Sequence, residues 1–193
     1  MGASVNTERE IRPDAAIRMD RRRFLSRAAA LCGALSTARV LAGIPDQPRS
    51  LRFVHTHTGE TLTAPYYVGG AYDDACLRSV NFLLRDFRTG ESHRIDPLLL
   101  DILYDLRSLA NHDAPFEVIS GYRSPQTNAM LHRSSSGVAE HSQHLLGKAI
   151  DIRLGGFSTR TLSAYARSLS RGGVGFYAGS DFVHIDTGRV RFW

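Results

Sequence analysis

Residues 141–154 read His-Ser-Gln-His-Leu-Leu-Gly-Lys-Ala-Ile-Asp-Ile-Arg-Leu, and this stretch decides the second half of the fold. From residue 148 onward the side chains alternate with the two-residue period of a β-strand. The apolar face consists of Ile150, Ile152 and Leu154. The opposite face carries Asp151, and an unpaired carboxylate within an apolar strand is costly. Asp151 therefore needs a partner, which is Arg153, Arg123 or a metal ion.

A second stretch with the same alternation lies near the end of the sequence, at Phe182–Asp186. Its apolar positions, Val183 and Ile185, predict the core face of a strand. His184 and Asp186 then share the other face. Each of the two strands is therefore predicted to direct a polar side chain away from the core, which is the geometry that a site on an open sheet face requires.

Three residues from these stretches are candidate metal ligands: His144, Asp151 and His184. Two imidazoles and one carboxylate are ligand types of a catalytic zinc site that keeps one position open for water. A lone histidine before a turn, such as His144, is more often a surface or capping residue. The combination is more specific than its parts, and it predicts one Zn²⁺ per chain.

The rest of the chain predicts strands and helices packed around one core. A β-hairpin is expected from strands at 51–58 and 61–67, joined at Gly59-Glu60. Apolar spacing predicts a first helix over 73–88, and Asp96-Pro97 is typical of a helix start, with Asp as N-cap. The other predicted elements are a strand at 116–120, a short helix from 124, a helix over 158–170, and strands at 174–177 and near Trp193.

Charge is distributed unevenly along the 193 residues. The net charge is +5, yet residues 1–42 alone contain eight arginines and four carboxylates, so the remainder is almost neutral. A basic leader on a neutral body is typical of a targeting signal, and it argues against a nucleic-acid-binding protein, which needs a basic stripe on its folded surface.

The leader contains Asp20-Arg21-Arg22-Arg23-Phe24-Leu25-Ser26, followed by a mildly apolar run from Ala28. This pattern resembles a twin-arginine export signal, which implies passage through the twin-arginine translocase and a periplasmic location. The apolar run is shorter than the roughly 20 apolar residues that a transmembrane helix needs. The alternative is a disordered basic tail. We expect a signal peptide at 1–42, a linker at 43–50 and one domain at 51–193.

Several stretches of this domain resemble one family of enzymes. They are Ser120-Gly121-Tyr122-Arg123-Ser124, Ser142-x-His144-x-x-Gly147-x-Ala149-x-Asp151-Ile152, and Phe182-Val183-His184-Ile185-Asp186. They are similar to the zinc D-alanyl-D-alanine peptidases of the hedgehog/DD-peptidase fold, and among these most similar to the YcbK-like murein endopeptidases, which also begin with a twin-arginine signal. The resemblance implies an α+β fold, with a mainly antiparallel central sheet and helices packed on it.

The resemblance also implies roles for individual residues. His144, Asp151 and His184 become the zinc ligands. Arg123 becomes the group that holds the scissile carbonyl oxygen or a substrate carboxylate, for which a planar guanidinium is suited; its alternative is a structural ion pair with Asp151 or Glu117. Ser142 and Asp186 are expected to orient a ligand imidazole by hydrogen bonding.

At the position of the general base, this chain departs from the family pattern. Related carboxypeptidases place a glutamate three residues before the last histidine, and this chain has the shorter Asp181 there. Asp181 is the expected base only if a turn at 179–181 directs its carboxylate toward the metal. Glu140 and His141, just before the first ligand, are the alternatives.

The function that the resemblance implies is zinc-dependent hydrolysis of peptidoglycan stem-peptide cross-links by a monomeric murein endopeptidase. Two alternatives stay open. One is a carboxypeptidase that trims the stem peptide, of D-alanyl-D-alanine or L,D specificity. The other is a catalytically silent, zinc-containing module that binds peptidoglycan.

Overall fold

The computed structural model describes residues 1–2, 47–134 and 137–193. The predicted signal peptide, apart from residues 1–2, and the first half of the predicted linker lie outside these residues. The described residues from 47 onward belong to one compact unit. None of the helices in the described part of the chain is long and apolar enough to cross a membrane.

Eight strands of the described chain form one sheet in the order β3-β2-β1-β4-β5-β7-β6-β8. Their bounds are β1 Arg49–His55, β2 Thr61–Val68, β3 Ala71–Tyr72, β4 Phe116–Ser120, β5 Ala149–Leu154, β6 Gly173–Tyr177, β7 Phe182–Asp186 and β8 Arg191–Phe192. Neighbouring strands pair antiparallel except at β1–β4 and β6–β8. The predicted α+β fold with a mainly antiparallel central sheet is confirmed.

Four α-helices of the described chain accompany the sheet. They are α1 Asp74–Leu83, α2 Pro97–Ala110, α3 Pro125–Ser134 and α4 Thr159–Leu169, and a short 3₁₀ helix covers Gln143–Leu146. Helix α1 packs against β2, α2 against β1, and α4 against β5, β6 and β7. The predicted cap at Asp96 is confirmed, because its side chain accepts a hydrogen bond from the Leu98 amide at 3.0 Å.

Strand β1 begins inside the predicted linker. Arg49 already belongs to the strand, and its guanidinium lies 2.8 Å from the buried carboxylate of Asp101 on α2. The Arg49 side chain also stacks over the Tyr67 ring at 4.5 Å. Because these contacts come from residues distant in sequence, composition alone did not predict where the strand starts.

Helix α1 ends at Leu83, five residues before the predicted end. The reason is tertiary: the Leu84 carbonyl accepts a hydrogen bond at 2.8 Å from the Tyr122 amide, in the loop after β4. Gly121 packs directly on Leu84, and a Cβ at position 121 would lie 2.5 Å from the Leu84 carbonyl oxygen. This contact holds the loop at 121–124 against the end of α1, beside the metal-ligand candidates.

Candidate metal centre

Strands β5 and β7 bring Asp151 and His184 together. The two residues are register partners in the antiparallel pair, so their side chains leave the sheet on the same face. Asp151 Oδ1 lies 2.8 Å from His184 Nδ1. Both side chains are buried, at 3% and 8% exposure.

The 3₁₀ helix delivers His144 to the same point. Its Nε2 lies 3.2 Å from Asp151 Oδ1 and 3.2 Å from His184 Nδ1. Gly147 closes the helix with φ +64°, and a Cβ there would lie 2.2 Å from the Arg94 carbonyl oxygen. A residue other than glycine would therefore move the turn that carries His144.

The hydrogen bonds on the far side of each ring define which nitrogen faces the centre. His144 Nδ1 donates to the Gly121 carbonyl at 2.6 Å, and His184 Nε2 donates to Asp186 Oδ2 at 3.0 Å. In their neutral forms the two imidazoles therefore direct lone pairs at Asp151 Oδ1. Three acceptors that face one another require a cation at the centre, either a proton on His184 or a metal ion.

The spacing of these atoms fits a zinc ion. Ligand bonds of about 2.0–2.1 Å arranged tetrahedrally separate the ligand atoms by about 3.3 Å. The three separations here are 2.8, 3.2 and 3.2 Å. The donor set of two imidazoles and one carboxylate oxygen, with all three residues buried, suits Zn²⁺ and leaves one side open to the cavity.

The pKa shifts of the three candidate ligands also favour metal binding. Burial lowers the pKa of His144, so this ring is neutral and offers its lone pair. Burial would raise the pKa of Asp151, but the neighbouring His144 and His184 hold that pKa well below its usual value, so the carboxylate is charged. Burial also opposes protonation of His184, yet hydrogen bonds with Asp151 and Asp186 outweigh it and raise the His184 pKa. Metal binding would then displace a proton from His184.

Arg123 contacts the third ligand from the other side. One terminal nitrogen of its guanidinium donates to Asp151 Oδ2, and Nε donates to Ser120 Oγ at 2.9 Å. Asp151 thus offers Oδ1 to the centre while Oδ2 is held by Arg123. These contacts use two of five N–H donors, and Arg123 also lines the cavity. The ion pair between Arg123 and Asp151, which was the structural alternative for Arg123, is present. The Arg123 side chain nevertheless keeps N–H donors for a ligand.

Asp186 lies where a partner for the last imidazole is expected. It is fully buried and, besides His184, it pairs with Arg191 through contacts of 3.0 and 2.7 Å. These contacts lower its pKa although burial opposes this. Sequence reasoning missed Arg191, because an arginine in a short strand carries no signal of such a role.

Ser142 has a different contact from the one expected. Its hydroxyl accepts a hydrogen bond from the His144 backbone amide at 3.3 Å and caps the 3₁₀ helix. The imidazole itself is oriented by the Gly121 carbonyl. The sequence could not point to this group, because any residue supplies a carbonyl and only the fold places it.

Asp181 is not brought to the metal centre, which corrects its expected position. The residue has φ +52°, and the carboxylate accepts a hydrogen bond from Thr159 Oγ1 and lies 3.6 Å from Arg153 Nε. The left-handed turn directs the side chain toward α4. Among the alternative bases, His141 lines the cavity and is exposed, whereas Glu140 is not one of the lining residues.

The cavity over the three ligands measures about 440 Å³. It is lined by Arg123, by most residues of the segment 137–144, and by aromatic residues of β6, β7 and the chain after β8. The lining residues are Arg123, Gly137, Val138, Ala139, His141, Ser142, Gln143, His144, Asp151, Tyr177, Ser180, Phe182, His184, Arg191 and Trp193.

Comparison with known proteins finds relatives over most of this chain. A family model described as peptidoglycan L,D-endopeptidase MepK matches residues 44–193. The probable peptidoglycan L,D-endopeptidase MepK of Haemophilus influenzae is 43% identical over 148 residues, 76% of this chain and 80% of that protein. The peptidoglycan L,D-endopeptidase MepK of Escherichia coli K12 is 42% identical over 147 residues, 76% of this chain and 81% of that protein.

Proposed function

Since the chain belongs to the peptidoglycan L,D-endopeptidase MepK family, we propose that it is a zinc-dependent murein endopeptidase that hydrolyses stem-peptide cross-links. The observation that carries the zinc assignment is the convergence of His144 Nε2, Asp151 Oδ1 and His184 Nδ1 within 3.2 Å of one another. Each of the two rings has its other nitrogen occupied by a hydrogen-bond acceptor, as expected for metal-binding histidines.

The proposed chemistry is hydrolysis of an amide bond. Bound zinc would supply a Lewis acid and lower the pKa of a bound water towards neutrality. Arg123 contributes N–H donors in the cavity wall, which stabilise negative charge as it develops on the scissile carbonyl oxygen. Its pairing with Asp151 Oδ2 holds the guanidinium in place before the substrate arrives.

His141 is the group that we assign to proton transfer. It lies in the cavity wall, three residues before His144, and its side chain is exposed to the cavity. A neutral imidazole accepts a proton on a ring nitrogen from the attacking water and returns it to the nitrogen of the leaving amine. The contacts of the Asp181 carboxylate with Thr159 and Arg153 support His141 over Asp181 for this role.

The names of the relatives indicate which bond of the substrate is cleaved, because both are called L,D-endopeptidases. An L,D-endopeptidase cuts a peptide bond between an L centre and a D centre. A cross-link between two meso-diaminopimelate residues is such a bond, whereas a link from D-alanine to diaminopimelate joins two D centres. Of these two cross-links, we propose the diaminopimelate–diaminopimelate bond as the one that is cleaved.

The substrate also implies where the protein works. Peptidoglycan lies outside the cytoplasmic membrane, so we propose a periplasmic protein exported through the twin-arginine signal at Arg21-Arg22-Arg23. A monomer is sufficient, because the described residues of one chain supply all three ligands.

The decisive experiment is digestion of purified murein sacculi, followed by mass spectrometry of the muropeptides. With zinc present, we expect loss of diaminopimelate-linked dimers and gain of the corresponding monomers, and no change with His184→Ala. Release of free D-alanine from monomers instead would identify a carboxypeptidase. Binding to sacculi with no new product would identify a silent module, and both results would overturn the proposal.

A further inference from the structure

Three aromatic residues, Tyr177, Phe182 and Trp193, line the cavity beside the metal ligands, and we call them the aromatic wall. The centroid of the Trp193 ring lies 5.4 Å from that of His184. Tyr177 and Phe182 stack on each other, with centroids 4.6 Å apart. The wall is thus an apolar surface in direct contact with the last metal-ligand candidate.

The fold holds the Trp193 ring in a defined position. Its Nε1 donates to the Tyr177 hydroxyl at 3.0 Å, and its backbone exchanges hydrogen bonds with Val174 and Phe176 of β6. The indole packs on Gly175, the register partner of His184, where a Cβ would lie 2.6 Å from the ring. A side chain at position 175 would therefore displace the indole from its place beside His184.

Despite these restraints, 46% of Trp193 is exposed. The one polar atom of the indole already has its partner, so the indole can offer a ligand only its aromatic carbons. An aromatic surface that stays exposed in a cavity also lined by polar groups is typical of a ligand-binding site. Arg123 lines the same cavity, and its guanidinium suits the polar or anionic groups of a peptide.

We propose that Trp193 is a substrate-contacting specificity residue, whose indole packs against the aliphatic side chain of a diaminopimelate residue next to the scissile bond. This inference rests on the proposed function. Diaminopimelate is chosen because of its size: a chain of three methylene groups can cover more of the indole surface left free beside Gly175 and Arg191 than the single methyl of alanine can. Each buried methylene is worth about 0.8 kcal/mol, which corresponds to roughly a fourfold change in affinity.

The kinetic test compares Trp193→Ala with wild-type protein on purified diaminopimelate-linked muropeptide dimers. We expect kcat/KM to fall by about 10- to 50-fold, mainly through KM, while zinc content stays at one per chain. Trp193→Phe should recover most of the loss. Phe192→Ala is the matched control, because Phe192 is the adjacent residue, has the same 46% exposure and lies outside the cavity lining.

Gly175→Ala tests the position of the ring without removing it. The added methyl would displace the indole, so we expect a rise in KM in the same direction as in Trp193→Ala. Unchanged KM in both variants, with wild-type turnover intact, would overturn the inference while leaving the proposed function in place. Absence of cleavage by the wild type would instead refute the proposed function.

Fluorescence measures the contact independently of turnover. Trp193 is the single tryptophan of the sequence, so the indole emission of the full chain reports on this position alone. The probe is the stem tripeptide that ends in meso-diaminopimelate, added to the zinc-loaded protein. We expect a saturable change in emission, and a weaker one with the same peptide ending in alanine. Equal responses to both peptides, or no response to either, would argue against the contact.

Discussion

Asp151 and His184 are register partners on β5 and β7, and the 2.8 Å between Asp151 Oδ1 and His184 Nδ1 leaves no room for a water molecule. Because the backbone hydrogen bonds of the sheet hold both residues, their distance is a property of the fold and not of flexible side chains. Asp151 also pairs with Arg123, so one carboxylate contacts both the candidate ligand His184 and a guanidinium that lines the cavity.

Asp151→Asn should abolish zinc binding with little change in side-chain volume. The amide removes the charge that attracts the metal and leaves the partly buried Arg123 without its anion. We expect zinc content to fall from one per chain to below about 0.1 and hydrolysis to fall at least 1000-fold, roughly the scale for loss of the metal's contribution. Metal analysis and muropeptide assays measure both. Asp105→Asn, which changes only a surface pair with Arg171, is the control and should keep full zinc content.

Asp186→Asn should weaken the metal centre without removing a ligand. The substitution makes the acceptor of the His184 Nε2–H bond neutral and breaks the ion pair with Arg191. We expect zinc affinity to fall about 10- to 100-fold, the usual range for a lost partner of a ligand histidine. Competition with a zinc-binding dye measures the change. An affinity within about twofold of the wild type would show that Asp186 does not orient His184.

Arg123→Lys should lower kcat while zinc stays bound. Lysine keeps the positive charge beside Asp151 but loses the planar arrangement of donors. We expect kcat to fall about 100-fold or more, the range for removal of a donor that stabilises a developing oxyanion. Arg153→Lys is the control, because Arg153 donates to the carbonyls of Ser180 and Asp181 and does not line the cavity. A loss of zinc in Arg123→Lys would show that its role is structural.

His141→Ala and Asp181→Asn distinguish the two candidates for the base. Removal of a residue that transfers the proton should slow kcat by about 10²- to 10⁴-fold. We expect this loss for His141→Ala, while the zinc content stays at one per chain. Asp181→Asn should retain kcat within about twofold, because only a surface contact with Thr159 and Arg153 changes. The reverse result would restore Asp181 as the base.

The buried carboxylate of Asp86 should make the free energy of unfolding fall in acid. This carboxylate is 1% exposed, and it accepts hydrogen bonds from the amide and hydroxyl of Ser124 at 2.9 and 2.6 Å. Burial would raise its pKa, but these donors outweigh burial and lower the pKa to about 2. Since the pKa is lower in the folded state, the stabilisation is present above the unfolded value of about 3.9 and disappears as the pH falls towards 2.

The corresponding measurement is urea unfolding between pH 2 and 6. We expect Asp86 to contribute about 2 kcal/mol at pH 6, and Asp86→Asn to remove this part of the pH dependence. The exposed Asp113 provides the control, and Asp113→Asn should keep the profile of the wild type. If the free energy of unfolding of Asp86→Asn depended on pH in the same way as that of the wild type, the lowered pKa of Asp86 would be contradicted.

Local sequence patterns were sufficient to predict the strands around the candidate metal centre. Alternation of apolar residues predicted that Asp151 and His184 leave their strands away from the core, and this needs only the two-residue period of a strand. The cap at Asp96 and the hairpin at 51–67 follow from equally short-range chemistry. The family resemblance then connected these patterns to a zinc peptidase.

The tertiary structure decided everything that depends on contacts between distant segments. The early end of α1 reflects a hydrogen bond from Tyr122 to Leu84, and the orientation of His144 reflects a carbonyl at Gly121. The left-handed turn at Asp181 moves its carboxylate away from the ligands, and the packing on Gly175 places Trp193 beside them. Periodicity and capping act over about four residues. The partners of a buried polar group are chosen by packing, so only the folded chain determines which groups complete the site.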